Sequence, residues 1–271
     1  MVHRSTTANF TPTAANRIAQ PTTNSYTDAG LAAGTYYYRV LAEDAAGNLS
    51  PASNQASANV PAPSSGVVAA YSFNAGQGTT LADVSGSGNH GTLSGATWTT
   101  SGRNGGGLNF DGINDWVTVN DSASLDLTTG MTLEAWVRPT TTGTVWRTLV
   151  FKERAGGMVY AMYANQNTNR PVGQVDIGGE RNAIGTAAVP LNTWTHIATT
   201  YDGANLRLYV NGVLVATTPV TGSIPNSSGV LRMGGNSVWP EWLAGTLDDV
   251  RVYNRALTQA QIQTDMNTPV A

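Results

Sequence analysis

Gly245-Thr-Leu-Asp-Asp-Val-Arg-Val-Tyr-Asn-Arg-Ala-Leu-Thr258 sets two adjacent carboxylates, Asp248 and Asp249, just before the alternating run Val250, Arg251, Val252, Tyr253. Period-two alternation is the mark of a strand with one buried face, and it sends successive side chains to opposite sides. The stretch therefore reads as a strand with acidic groups at its entrance, of which only one can face a given side. Far upstream, Asp83-Val-Ser-Gly-Ser-Gly-Asn-His-Gly91 is a second acidic, glycine-rich segment. It offers a carboxylate at Asp83, an amide oxygen at Asn89, and glycines at Gly86 and Gly88 that let the backbone turn its carbonyls inward. Calcium takes six to eight oxygens of this mixed kind. If the terminal strands lie side by side, Asp248 completes the shell from the far end, with Asp249 as the less direct partner. An Asx-turn at Asp83 and a solvated Asp248-Asp249 pair account for the same residues, and both readings stay open.

Composition narrows the function classes. Only 11% of the 271 residues are Asp, Glu, Lys or Arg, and the formal charge is -3. Solubility must come from hydroxyl and amide groups, as suits an exported bacterial surface protein. Nucleic acid is excluded as a partner, because phosphate binding needs clustered Lys and Arg. With 0 Cys there is neither a disulfide framework nor a thiolate site. No apolar run approaches the roughly 18 residues of a membrane span. Met1-Val-His-Arg has no signal-peptide character, so a secreted parent would carry its signal outside this chain.

Three regions follow along the sequence. Residues 1–60 hold one clear alternating strand, Tyr36-Tyr-Tyr-Arg-Val-Leu-Ala42, entered through Leu31–Thr35, with Val2-His-Arg-Ser as a neighbour. Residues 61–66, Pro-Ala-Pro-Ser-Ser-Gly, read as a semi-rigid linker. From residue 67 to 271 short strands alternate with turn signals, predicting an antiparallel, all-β sandwich. Its clearest hairpin is Leu206-Arg-Leu-Tyr-Val-Asn-Gly-Val-Leu-Val215, because Asn-Gly accepts the positive φ of a type I′ turn. Thr258-Gln-Ala-Gln-Ile-Gln-Thr-Asp-Met266 predicts one short helix capped by Thr258.

Seven motifs occur in order: Val67–Phe73, Asp83–Gly91, Leu108-Asn-Phe-Asp-Gly112, Leu133-Glu-Ala-Trp-Val-Arg-Pro139, Trp194-Thr-His-Ile-Ala198, Leu208-Tyr-Val-Asn-Gly212 and Gly245–Asp249. Together they make residues 66–268 resemble the laminin-G-like, concanavalin A-like lectin/glucanase jelly rolls. The resemblance implies a two-sheet jelly roll whose ends meet at a structural calcium held by Asp83, Gly86, Asn89, Asp248 and Asp249. Residues 1–60 resemble the second half of a fibronectin type III domain, with Tyr36 in the place of its corner tyrosine. Only about 60 residues stand where such a domain needs roughly 100. A truncated module with an open sheet edge is therefore expected, giving a monomer with an edge-mediated dimer as the alternative.

Catalytic constellations are scarce. Sandwich glucanases place two carboxylates on one strand as Glu-x-Asp-x-x-Glu, about 5 Å apart for retention, and no such segment exists here. His3, His90 and His196 fall in unrelated settings, with His196 read as a satisfied packing residue, and there is no Gly-x-Ser-x-Gly elbow. A sugar-stacking site needs no catalytic group, only aromatic faces and hydrogen-bonding neighbours. Trp239-Pro-Glu-Trp242 is the best candidate: Pro240 breaks the ladder and leaves Trp239 in a loop beside Glu241 and Asn236. Trp242 reads as strand-entrance packing. Trp146, Arg147, Tyr163 and the Glu180-Arg181 pair form a second set, with core or rim packing as the alternative for each. The expectation is a noncatalytic polysaccharide-binding module from a larger secreted protein. A protein-binding adhesion or spacer module and a polysaccharide-active enzyme are the rivals.

Overall fold

A computed structural model describes residues 1–28, 31, 34–60, 66–141 and 143–271. Most of the linker expected at 61–66, and part of the approach at 31–35, lie outside the described residues. Met1–Pro63 and Ser64–Ala271 form two separate compact units.

The N-terminal unit is a single antiparallel sheet of β1 (Val2–Ser5), β2 (Arg17–Ala19), β3 (Gly34–Val40) and β4 (Ala56–Val60), in the order β2-β1-β3-β4. Both predicted strands are present, and they pair with each other at its centre. A bidentate contact between Arg4 and Asp28 at 2.9 Å, joined by the Tyr38 hydroxyl at 2.9 Å, ties a loop to this sheet. Arg4 also lies 5.4 Å over the Tyr36 ring.

Among the described residues the larger unit has sixteen strands. The first six are β5 (Val67–Tyr71), β6 (Thr80–Leu81), β7 (Gly91–Ser94), β8 (Thr97–Thr99), β9 (Gly107–Asp111) and β10 (Trp116–Val119). The middle ones are β11 (Met131–Pro139), β12 (Arg147–Arg154), β13 (Gly157–Asn165), β14 (Val172–Asp176) and β15 (Glu180–Ile184). The last are β16 (Thr195–Tyr201), β17 (Asn205–Val210), β18 (Val213–Pro219), β19 (Leu231–Met233) and β20 (Ala244–Tyr253), followed by helix α1 (Gln259–Met266). One sheet runs β15-β14-β13-β12-β19-β10-β7-β6. The other runs β18-β17-β16-β11-β20-β9-β8, with β5 also paired to β20. Every pairing is antiparallel, and the fold is the expected two-sheet sandwich.

Alternation explains the core. On β11, Leu133, Ala135 and Val137 enter the layer between the sheets, where they meet Val150, Tyr160, Met162 and Val175 from the opposing sheet. Each such buried apolar side chain contributes about 1.5–3 kcal/mol. Gly173 packs tightly against the opposing sheet: an added Cβ there would lie 2.0 Å from Thr199 Oγ1. The first and last strands do meet: Val250 pairs with Tyr71 and Val252 with Ala69. Asn211 and Gly212, at φ 49° and 71°, make the predicted hairpin turn. Thr258 caps α1 by accepting the Gln261 amide. That helix lays Ile262 against Ala198, Tyr209, Tyr253 and Leu257 on the outer face of the second sheet.

Candidate functional site

The outer face of the first sheet carries a cleft of about 390 Å³ lined by Val145, Trp146, Tyr163, Gln174, Glu180, Trp239, Pro240 and Glu241. Strand geometry puts these groups together. Tyr163 on β13 and Val172 on β14 are directly opposite, and two residues further along each strand bring Ala161 and Gln174 opposite one another on the same face. Asp176 pairs with Glu180 around a glycine turn, which returns the Glu180 carboxylate to the Gln174 side. Gln174 Nε2 donates to Glu180 at 3.1 Å. The rings do not form a flat shelf. Trp146 and Tyr163 stand at 78° with centroids 4.8 Å apart, and Phe151, beneath them, is edge-on to Tyr163 at 80° and to Trp239 at 83°.

The loop 236–241 is held in place by Asn236. Its Oδ1 accepts the amides of Val238 (3.0 Å) and Trp239 (2.7 Å), while Nδ2 donates to Thr148 Oγ1 (3.1 Å) and Glu241 (2.9 Å). Asn236 is fully buried, so it positions Trp239 and Glu241 and is not itself a ligand contact as the sequence suggested. Burial raises the Glu241 carboxyl to about 7, against the pull of hydrogen bonds from Asn236 and Tyr163, and the Glu180 carboxylate adds to the rise. Trp242 packs as expected, on Trp116 with ring centroids 5.0 Å apart. Arg232 closes that column 4.2 Å over Trp116 and pairs with Glu153 at 3.0 Å.

Two expected ligand residues turn away. Arg147 sits where β12 changes register, between Arg147 and Thr148 and again before Val150. It donates to the Trp242 carbonyl at 2.7 Å and lines a separate small cavity with Pro139, Thr141 and Ala164. Arg181 pairs with Val175, which faces the inter-sheet core; the pairing sets Arg181 on the face opposite Glu180. Gln174 and Phe151 were missed by sequence reasoning. The signal for Gln174 was present, since alternation around the Gly178-Gly179 turn sets it level with Glu180.

Residues 110–263 match the concanavalin A-like lectin/glucanases superfamily, a span that begins in β9, ends in α1 and takes in every residue of the cleft. The chain belongs to this superfamily. Pappalysin-1 of Mus musculus is 32% identical over 80 residues, which are 28% of this chain and 5% of that protein. The chain thus matches only a small part of that relative's length. Among solved structures, domain 4 of AbnA, a GH43 extracellular arabinanase from Geobacillus stearothermophilus, in complex with arabinotriose, aligns with TM-score 0.65 and 18% identity, covering 74% of this chain and 98% of the other. Trypanosoma rangeli sialidase in complex with sialic acid aligns with TM-score 0.59 and 19% identity over 77% of this chain and 33% of its own. Both likenesses concern the fold.

The calcium expected from the superfamily resemblance can be tested against the donor set. Asp83 Oδ1 accepts the amides of Ala70 (2.9 Å) and Ser85 (2.8 Å), and Oδ2 accepts the Ser85 hydroxyl and the Asn89 amide, both at 2.9 Å. Asn89 Oδ1 accepts from Ser122, and its Nδ2 donates to the Val68 carbonyl and to Ser124. Gly86 and Gly88 curl the loop at φ 89° and 76° as anticipated. The lone pairs a cation would need are directed at N–H and O–H groups, so these residues do not fit the ion. No group of three or more His, Asp or Glu among the described residues is placed to hold a metal.

The second acidic pair belongs to a different loop. Asp248 Oδ2 accepts the amides of Arg103 (2.7 Å) and Asn104 (2.8 Å), and Asp249 Oδ2 accepts from Asn104 Nδ2 at 2.6 Å. No hydrogen bond links either to Asp83. The expectation that alternation divides Asp248 from Asp249 fails, because Asp249 has φ 46° and β20 bulges against β11 there. Burial pushes Asp248 up to about 7, opposed by the Asn104 amide and reinforced by Asp249. Beneath α1 and the tail, Glu134 and His196 are wholly buried, and neither the Glu134 oxygens nor the His196 nitrogens have a hydrogen-bond partner. His196 packs edge-on against Trp136 at 5.3 Å, so its packing role is met without the expected hydrogen bonds. Burial lowers its pKa to about 3, helped by Arg251.

Proposed function

We propose that this chain is a glycan-binding module, and that the cleft between Trp146, Tyr163, Trp239, Glu180 and Glu241 takes the saccharide. The observation that carries the reading is the convergence of two partly exposed rings, Trp146 and Trp239, over the buried Tyr163 and Gln174, with two carboxylates on the same face of the sheet. Sugars bury their C–H faces on such rings and their hydroxyls on such polar groups. The neighbouring fold of an arabinanase domain in complex with arabinotriose supports the same class of ligand. We assign the chain a noncatalytic role within a larger secreted protein, with residues 1–60 as a fibronectin type III-like spacer. Titration calorimetry against a glycan panel tests this. A binding glycan is expected, and Trp239→Ala is expected to weaken it at least tenfold, about 1.4 kcal/mol. Absence of binding to every glycan would remove the reading.

A second reading rests on one observation: Glu241, held near 7 by burial, shares the cleft with Glu180. Paired carboxylates with unequal proton affinity are the acid and base of glycoside hydrolysis. Release of reducing ends by the isolated chain, abolished in Glu241→Gln, would favour the enzyme over the binding module.

A further inference from the structure

Both arginines that the sequence set beside the aromatic cleft point elsewhere, and this inverts the charge of the site. Arg147 is spent on the Trp242 carbonyl, and Arg181 lies on the far face of β15. What remains around the cleft is Trp146, Tyr163, Trp239, Gln174, Glu180 and Glu241, with no Lys or Arg among the described lining residues. A neutral sugar gains most from a broad, flat, open ring. Here the rings meet nearly at right angles, Trp146 against Tyr163 at 78° and Trp239 against Phe151 at 83°. No flat shelf results; the partly exposed Trp146 and Trp239 instead stand beside two carboxylates, and aromatic faces in an acidic setting attract a compact cation. The carboxylates complete it: Glu241 is fixed by Asn236 Nδ2 at 2.9 Å and by the Tyr163 hydroxyl, and Glu180 by Gln174 at 3.1 Å.

We infer that the saccharide recognised in this cleft carries a free amino group, whose ammonium sits among Trp146, Tyr163 and Trp239 and pairs with Glu180 and Glu241. The inference rests on the glycan-binding reading and narrows its ligand to de-N-acetylated amino sugars. An acyl group on that nitrogen would remove both the charge and the donors that the carboxylates accept. The buried Glu241 carboxyl then has a use, since an arriving ammonium supplies the opposite charge that its surroundings lack. Burial makes it protonated for much of the time near neutrality, so ammonium binding should release a proton there.

The test compares three probes by calorimetry on the full chain at pH 6: a glucosamine oligomer, its N-acetylated counterpart of equal length, and a neutral glucose oligomer. The glucosamine oligomer is expected to bind at least tenfold tighter than either other probe and to lose affinity as salt rises. In Glu180→Gln the ratio of glucosamine to N-acetylglucosamine affinity should fall about tenfold, and likewise in Glu241→Gln. Glu180 is exposed, so its variant keeps the test usable if Glu241→Gln disturbs the loop. Equal or tighter binding of the N-acetylated or neutral oligomer, or an affinity ratio that neither variant changes, overturns the inference and leaves the glycan-binding reading standing. Binding of none of the three, nor of any glycan in the wider panel, overturns both.

Discussion

Replacing Asp83 by Ala distinguishes a loop held by its own hydrogen bonds from one held by an ion. The carboxylate accepts four donors, of which the Ala70 and Asn89 amides are buried, while Ser85 can turn its amide and hydroxyl toward water. Only the two buried amides lose their partner outright. At about 1.5–3 kcal/mol for each bond to a charged acceptor, the substitution should cost about 3–6 kcal/mol. For a unit of this size that corresponds to a Tm lower by roughly 6–24 °C. The assay is convenient because the 7 tryptophans all lie between Trp98 and Trp242. Thermal unfolding followed by tryptophan fluorescence therefore reports the larger unit alone. The loss should be the same in excess calcium and in excess chelator, and wild-type Tm should not respond to either. A wild-type transition that falls several degrees in chelator, with Asp83→Ala abolishing the response, would refute the reasoning.

The buried imidazole gives an acid-sensitivity prediction. His196 has its pKa lowered from 6.5 to about 3 in the fold, so its contribution to stability is complete above pH 6.5 and is lost as the pH falls below it. Between pH 7 and pH 4 the wild type should lose about 3 kcal/mol relative to His196→Leu, at 1.36 kcal/mol per pH unit; parallel pH profiles of denaturant stability would count against this. Gly173→Ala should destabilise by about 1–3 kcal/mol, because the new methyl would lie 2.0 Å from Thr199 Oγ1, whose hydroxyl is fixed by donation to the Arg207 carbonyl. An unchanged midpoint in urea would show that the two sheets can part at that point.

The strands were legible because period-two alternation and Asn211-Gly212 are local signals that the tertiary structure has no reason to override. Trp146, Tyr163, Trp239 and Glu241, grouped from the sequence as rings and an acid near breaks in the pattern, do line one cleft. The errors have a common cause. Alternation assigns faces only while the ladder is regular, and β12 slips register beside Arg147, while β20 bulges at Asp249. At those points a side chain counted onto one face emerges on another. Arg181 is the exception and needed no tertiary information: it follows Glu180 on the regular strand β15, so alternation alone sends the two to opposite faces, and its pairing with Val175 agrees. The donors that saturate Asp83 come from Ala70, Ser85 and Asn89. An ion loop and a self-satisfied loop have the same composition, so only geometry separates them.

The position of β20, between β11 on one side and β9 with β5 on the other, bears on how this protein can be made. On the ribosome, β16, β17 and β18 can zip onto β11 early, and β8 onto β9, but the two patches have no shared partner until Ala244–Tyr253 has emerged from the exit tunnel. Until then each keeps an unpaired margin open to foreign strands. Chaperone occupancy of this unit during synthesis should therefore persist until Ala244–Tyr253 has emerged and end abruptly, once that one late-arriving segment seals both margins together.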